Sequence, residues 1–123
     1  MPFQKITRFP INDAMWFKLC TINDRHSVCF LYSNVTYTNV IPATYAVCAS
    51  KYDNLNIVDC KLIAGESGST YGNNIKYKIE NDALHFWVRG SMVFPSTLVV
   101  LTGDLSIDGT IENPPSDATQ PSF

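Results

Sequence analysis

The alternation of apolar and polar residues is clearest over residues 74–90, NIKYKIENDALHFWVRG. Ile75, Tyr77 and Ile79 alternate with Lys76, Lys78 and Glu80. Beyond Asn81-Asp82, Leu84, Phe86 and Val88 alternate with His85, Trp87 and Arg89. A period of two marks a half-buried strand, and Asn and Asp accept the positive φ of a tight hairpin turn. A two-residue loop predicts Glu80 opposite Ala83, Ile79 opposite Leu84 and Tyr77 opposite Phe86. It also predicts Lys78 opposite His85 and Lys76 opposite Trp87. One face of this hairpin is core; the other carries a tryptophan among cations.

The same reading gives the rest of the chain. MWFKLCTI (15–22) is apolar on both faces and predicts a central strand, followed by a turn at Asn23–His26. SVCFLYSN (27–34), ATYAVCASK (43–51) and LNIVDCKLI (55–63) are further strands, with Thr36–Pro42 a connection. GESGSTYG (65–72) predicts an exposed, mobile loop. Gly90–Pro95 makes a corner before STLVVLT (96–102) and a weaker strand, DLSIDGT (104–110). No stretch keeps a helical period. About eight strands, spaced roughly every 10–12 residues, predict an all-β fold, an antiparallel β-sandwich. The expected organisation is an irregular segment 1–14, a sandwich domain 15–110, and an extended or disordered tail 111–123 with tandem prolines. Exposed edge strands are a hazard that oligomerisation covers.

Composition narrows the function classes. A net charge of −2 gives no electrostatic case for nucleic acid or an anionic membrane. No apolar run reaches the roughly 18–20 residues that span a bilayer, so membrane insertion is not expected. MPFQKITRFPINDAMW lacks the apolar stretch of a signal peptide, so the chain is expected to be used without secretion or to be a piece of a longer protein. Cys20 and Cys29 are symmetric about one turn, Cys48 and Cys60 about another near Asp53-Asn54. In simple hairpins either pair could bridge. The alternative is four buried reduced thiols, which the absent signal peptide favours. Their spacing matches no zinc site.

Catalytic signals are weak. Gly65-Glu66-Ser67-Gly68-Ser69 has its glycines in the wrong places for a nucleophile elbow, and no helix follows. Neither His26 nor His85 belongs to a nucleophile motif. Most carboxylates fall in turns, where they bond locally. Asp59 interrupts a strand at its polar phase, which reads as a solvated position before a catalytic acid. Asn34-Val35-Thr36 is a glycosylation sequon with little meaning in an unsecreted chain. No metal, no cofactor and no enzymatic activity are expected.

The aromatic residues say more. Trp87, with His85, Lys76, Lys78 and Arg89 in the same phase and Tyr71 nearby in sequence, forms the candidate site. Three accounts compete: a subunit interface, which favours Trp, Tyr and Arg; a saccharide platform, where an aromatic face stacks and polar neighbours bond hydroxyls; or a core residue whose face a second sheet covers.

Trp16-Phe17-Lys18-Leu19-Cys20-Thr21-Ile22 resembles the Trp-Tyr-Lys-Ile-Ala-Thr-Ile opening strand of C-terminal head domains in phage tail fibres. NIKYKI followed by LHFWVRG, and the closing run STLVVLTGDLSI, extend the resemblance over residues 15–110. It implies a β-sandwich head at a fibre tip on the virion. Such heads are homotrimers that bind a host cell-surface receptor, saccharide or protein, without catalysis. Cys20 stands where Ala is usual, which suits a small buried residue. A trimerising cap of the fibre, a glycan-active enzyme and an adhesin-like or immunoglobulin-like binding domain are the competing readings.

Overall fold

The computed structural model describes residues 3–7, 15–34, 42–67, 74–90 and 96–123. These form nine strands: β1 (Phe3–Thr7), β2 (Met15–Asn23), β3 (His26–Asn34), β4 (Ala43–Tyr52), β5 (Leu55–Gly65), β6 (Asn74–Glu80), β7 (Ala83–Gly90), β8 (Ser96–Gly103) and β9 (Ser106–Ile111). One sheet has the order β1-β8-β3-β4-β5, the other β6-β7-β2-β9. All pairings are antiparallel, so the fold is the expected all-β sandwich. The additional strand, β1, falls in the segment 1–14 that the pattern left irregular, and it pairs with β8. No helix among the described residues is long and apolar enough to cross a membrane.

The 74–90 hairpin has the register its alternation predicts, from Glu80 opposite Ala83 to Lys76 opposite Trp87. Asn81 and Asp82 take φ of 54° and 57°, the left-handed pair that a two-residue hairpin loop requires. The inward sets of both sheets meet in one core. Phe17, Leu19 and Ile22 come from β2, Phe30 and Tyr32 from β3, Tyr45 and Val47 from β4, and Leu84 and Phe86 from β7. Phe30 and Phe86 join the sheets edge to face at 5.7 Å.

Two expectations are corrected. Residues 15–34 are not a hairpin: β2 and β3 flank a tight turn but belong to different sheets, so Cys20 and Cys29 never face each other. The two turns at this end are clasped. Arg25 N–H donates to Lys51 O at 2.6 Å, and Asp53 N–H to Asp24 Oδ1 at 2.8 Å. A crossover between layers therefore has the sequence appearance of a β-turn. β4 and β5 do form a hairpin, but Val47 faces Cys60 and Cys48 faces Asp59. The one-residue offset sends Cys48 and Cys60 to opposite sides of the sheet. All four cysteines are free thiols.

β2 is central, between β7 and β9, as its two-sided apolar character predicts. A bulge between Lys18 and Cys20 lets both Leu19 and Cys20 turn inward. Asn34 of the sequon is buried: its amide donates to Arg89 O at 3.2 Å and its carbonyl accepts from Ser96 Oγ at 3.1 Å, linking the sheets.

Beyond β9 the chain forms no further named strand but makes specific contacts. Glu112 N–H donates to Trp16 O, extending the β9 edge. The chain then crosses the outer face of the four-stranded sheet, where Asp117 meets Lys78 at 2.9 Å. Thr119 exchanges backbone hydrogen bonds of 2.8 and 2.9 Å with Tyr77 at the β6 edge. The Phe123 ring ends 5.5 Å from that of Tyr45.

Candidate functional site

Five of the six predicted site residues share the outer face of the β6-β7-β2-β9 sheet. Cross-strand pairing sets Asn74, Arg89 and Trp16 in one row and Lys76, Trp87 and Lys18 in the next. Lys78, His85 and Thr21 form a third. Tyr71, the sixth, and most of the 65–72 loop lie outside the described residues.

Trp87 is only 4% exposed. What covers it is the chain's own tail, not a second sheet. Its indole Nε1–H donates to Glu112 Oε2 at 2.8 Å, and its ring lies 5.9 Å from that of His85. Beside them opens a cleft of about 200 Å³ lined by Lys18, Glu80, Asn81, His85, Glu112 and Pro115 with Trp87. His85 Nε2 bonds Glu80 O at 3.0 Å, while its buried Nδ1 has no hydrogen-bond partner among the described residues.

β9 supplies a carboxylate that the aromatic pattern did not flag. Asp108 Oδ2 accepts from Thr21 Oγ1 at 2.7 Å and pairs with Lys18 at 3.8 Å. Lys76 lies over the Trp16 ring, 5.2 Å from its centroid. Lys78 bridges Glu80 at 3.1 Å and Asp117 at 2.9 Å. Those contacts raise the Lys78 ammonium above its ordinary range, and Lys78 holds the Asp117 carboxyl below its own. The face thus combines ammonium donors, carboxylate acceptors, an amide and an imidazole around a covered indole. Such a set exchanges hydrogen bonds with neutral hydroxyls. Among the described residues no cluster of His, Cys, Asp or Glu is arranged to hold a metal ion.

Asp108 and Glu112 were legible in part. DLSIDGTIE alternates, and its even positions share a phase. That β9 lies beside β2, which brings these groups to Lys18 and Trp87, follows from the sheet order alone.

No protein-family profile and no curated protein sequence matches this chain. Among solved structures it is similar to a tailspike protein, gp49, of the Acinetobacter baumannii bacteriophage Fri1, a capsular polysaccharide depolymerase. The TM-score is 0.50 at 10% identity, over 86% of this chain and 19% of the tailspike. The likeness is one of fold, and this chain corresponds to a small part of that protein's length. It corrects one expectation: the absence of enzymatic activity does not stand when a solved neighbour with this fold is a depolymerase. Missing sequence motifs were a weak basis for that expectation, because carboxylates from separate strands can meet without any motif.

Proposed function

We propose that the chain is a module of a phage tail protein, carried on the virion, that engages a host-surface polysaccharide at the cleft beside Trp87. The observation that carries this reading is the convergence of Lys18, Asn81, His85 and Glu112 on one cleft. The fold likeness to a tailspike gives it context. Saccharide hydroxyls donate to the Glu112 carboxylate and accept from the Lys18 ammonium, and the Asn81 amide does both. Trp87 acts as a positioning residue: its ring is covered and cannot stack on a sugar, but its N–H orients Glu112.

The test is calorimetric titration with a panel of purified bacterial capsular polysaccharides. At least one is expected to bind, and Lys18→Ala and Glu112→Gln to weaken it by about tenfold or more, the size of one charged hydrogen bond. Gln at 112 still accepts from the indole, so the cover over Trp87 is kept. A folded protein that binds none of the panel, or variants that bind as the parent does, overturns the reading.

A second observation favours assembly into a homotrimer. β5 is an edge strand, and its outward Leu55 and Ile63 are 72% and 55% exposed. Apolar side chains on an edge that no described strand pairs mark a contact surface. Three linked sites raise apparent affinity by about 10²–10⁴ without new contacts. Light scattering should give three chain masses, and Leu55→Lys with Ile63→Lys should give one.

A further inference from the structure

Cys29 and Cys48 face each other near the middle of the five-stranded sheet. They are direct partners in the β3–β4 register, and their side chains share a hydrogen bond. Opposed residues of an antiparallel pair have Cα atoms about 4.5 or 5.5 Å apart. Both separations lie within the span of a disulfide. Cys48 is exposed and Cys29 half-buried, and both line an outer cleft of about 430 Å³ whose rim includes Ser27, Ser50 and Asp59. On the flanking strands Asp59 faces Cys48 and Thr102 faces Cys29.

The other two thiols are excluded by geometry. Cys20 is fully buried in the opposite sheet, and Cys60 points inward. Burial pushes the Cys60 thiol up to about 12 and Cys20 further still, and the same burial keeps a dissolved disulfide from reaching either sulfur.

We propose that Cys29 and Cys48 form a site of reversible disulfide formation that staples β3 to β4 when the protein meets an oxidising low-molecular-weight disulfide. This does not depend on the saccharide reading. One thiolate attacks glutathione disulfide, forming a protein–glutathione mixed disulfide and expelling one glutathione thiolate. The second cysteine attacks the mixed disulfide, closing the protein S–S bond and expelling the other. Two protein S–H bonds are lost, and their two protons and two electrons leave in two reduced glutathione molecules. The Cys48 thiol is pushed up to about 11, by its hydrogen bond with Cys29 first and by burial and the nearby Asp59 after it. Cys48 therefore rests as a thiol at neutral pH, and its attack accelerates in mild alkali.

The experiment exposes reduced protein to glutathione disulfide, alkylates the remaining thiols under denaturing conditions and maps peptides without reduction. The expected product is a Cys29–Cys48 cross-link with Cys20 and Cys60 alkylated. Cys29→Ser and Cys48→Ser should each stop at a mixed disulfide with one glutathione, since the resolving thiol is gone. Wild-type protein that takes no oxidation, that accumulates glutathione on both cysteines without bridging, or that bridges any other pair overturns the proposal. The wild-type map decides the matter without the variants.

Discussion

The Trp87 indole donates to the Glu112 carboxylate at 2.8 Å, so the chain's own tail caps the residue that alternation places on the outside of β7. Two contributions follow, burial of the ring and pairing of its N–H. Trp87→Ala removes both and should cost about 3–5 kcal/mol. Glu112→Ala leaves the ring but strips a covered donor of its acceptor, a loss of about 1–3 kcal/mol. Chemical denaturation followed by fluorescence measures both. A Trp87→Ala cost below about 1 kcal/mol would mean the ring is not held as described.

The hold of the tail on β6 should loosen at both extremes of pH. Asp117 has its carboxyl lowered below 3.8, by the hydrogen bond from Lys78 before any other cause. Its contribution is present above pH 3.8 and is lost as pH falls through the lowered value. Lys78 is raised above 10.5, by the hydrogen bond to Asp117 first and Glu80 next. That contribution is present below pH 10.5 and is lost as pH rises through the higher value. Both groups meet solvent, so salt should weaken the pairing as well. Tryptophan emission across the pH range reads the release of the tail, and Lys78→Met should abolish the alkaline step.

Much of this arrangement was written in the local pattern. Most of the eight expected strands, the Asn81-Asp82 turn and the shared outward phase of Lys76, Lys78, His85, Trp87 and Arg89 follow from period-two alternation, which is a local property. What escaped was non-local. The Asp24-Arg25 turn has the sequence of a hairpin loop, yet it carries the chain from one sheet to the other. Phe3–Thr7 becomes a strand through its pairing with β8. ENPPSDATQPSF has no hydrophobic period, so nothing in it announces that Asp117 and Thr119 find partners on β6 and Phe123 one on β4. Glu112 and Asp108 join the site because β9 pairs with β2, and register between distant strands is fixed by the packed core.

Gly103 closes β8 with φ +84°, and a Cβ built there would lie 1.8 Å from Ser27 O. Ala at this position meets both the left-handed backbone and the neighbouring carbonyl. The conformational part alone costs about 1–2 kcal/mol, and the contact adds to it because the obstacle is backbone of the paired strand. Gly103→Ala should lower the midpoint of thermal unfolding clearly, whereas Thr102→Ala, one residue earlier on the exposed end of the strand, should change it little. Equal effects from the two would remove the argument.

Lys51 is the buried cation of the described core, 2% exposed, and it holds the clasp between the two turns. Its ammonium donates to Asp53 O at 2.6 Å and reaches Asp24 Oδ1 at 3.4 Å. Asp24 in turn accepts the Asp53 N–H, which more than any other contact lowers its carboxyl below 3.8, with Lys51 adding to the effect. Lys51→Met keeps the packed stem but leaves a carbonyl and a carboxylate short of a donor, a cost of about 1–3 kcal/mol. Asp24→Asn keeps an acceptor for Asp53 N–H and removes only the charge. A double-mutant cycle should then show that the two changes are not additive, since both act on one network. The pH dependence separates charge from shape. A carboxyl lowered by folding stabilises above pH 3.8 and loses that contribution as pH falls through its folded value, so the parent protein should weaken in acid more steeply than Asp24→Asn. Parallel acid limbs would show that the Asp24 charge contributes nothing to the clasp, leaving it to the hydrogen bonds that do not titrate.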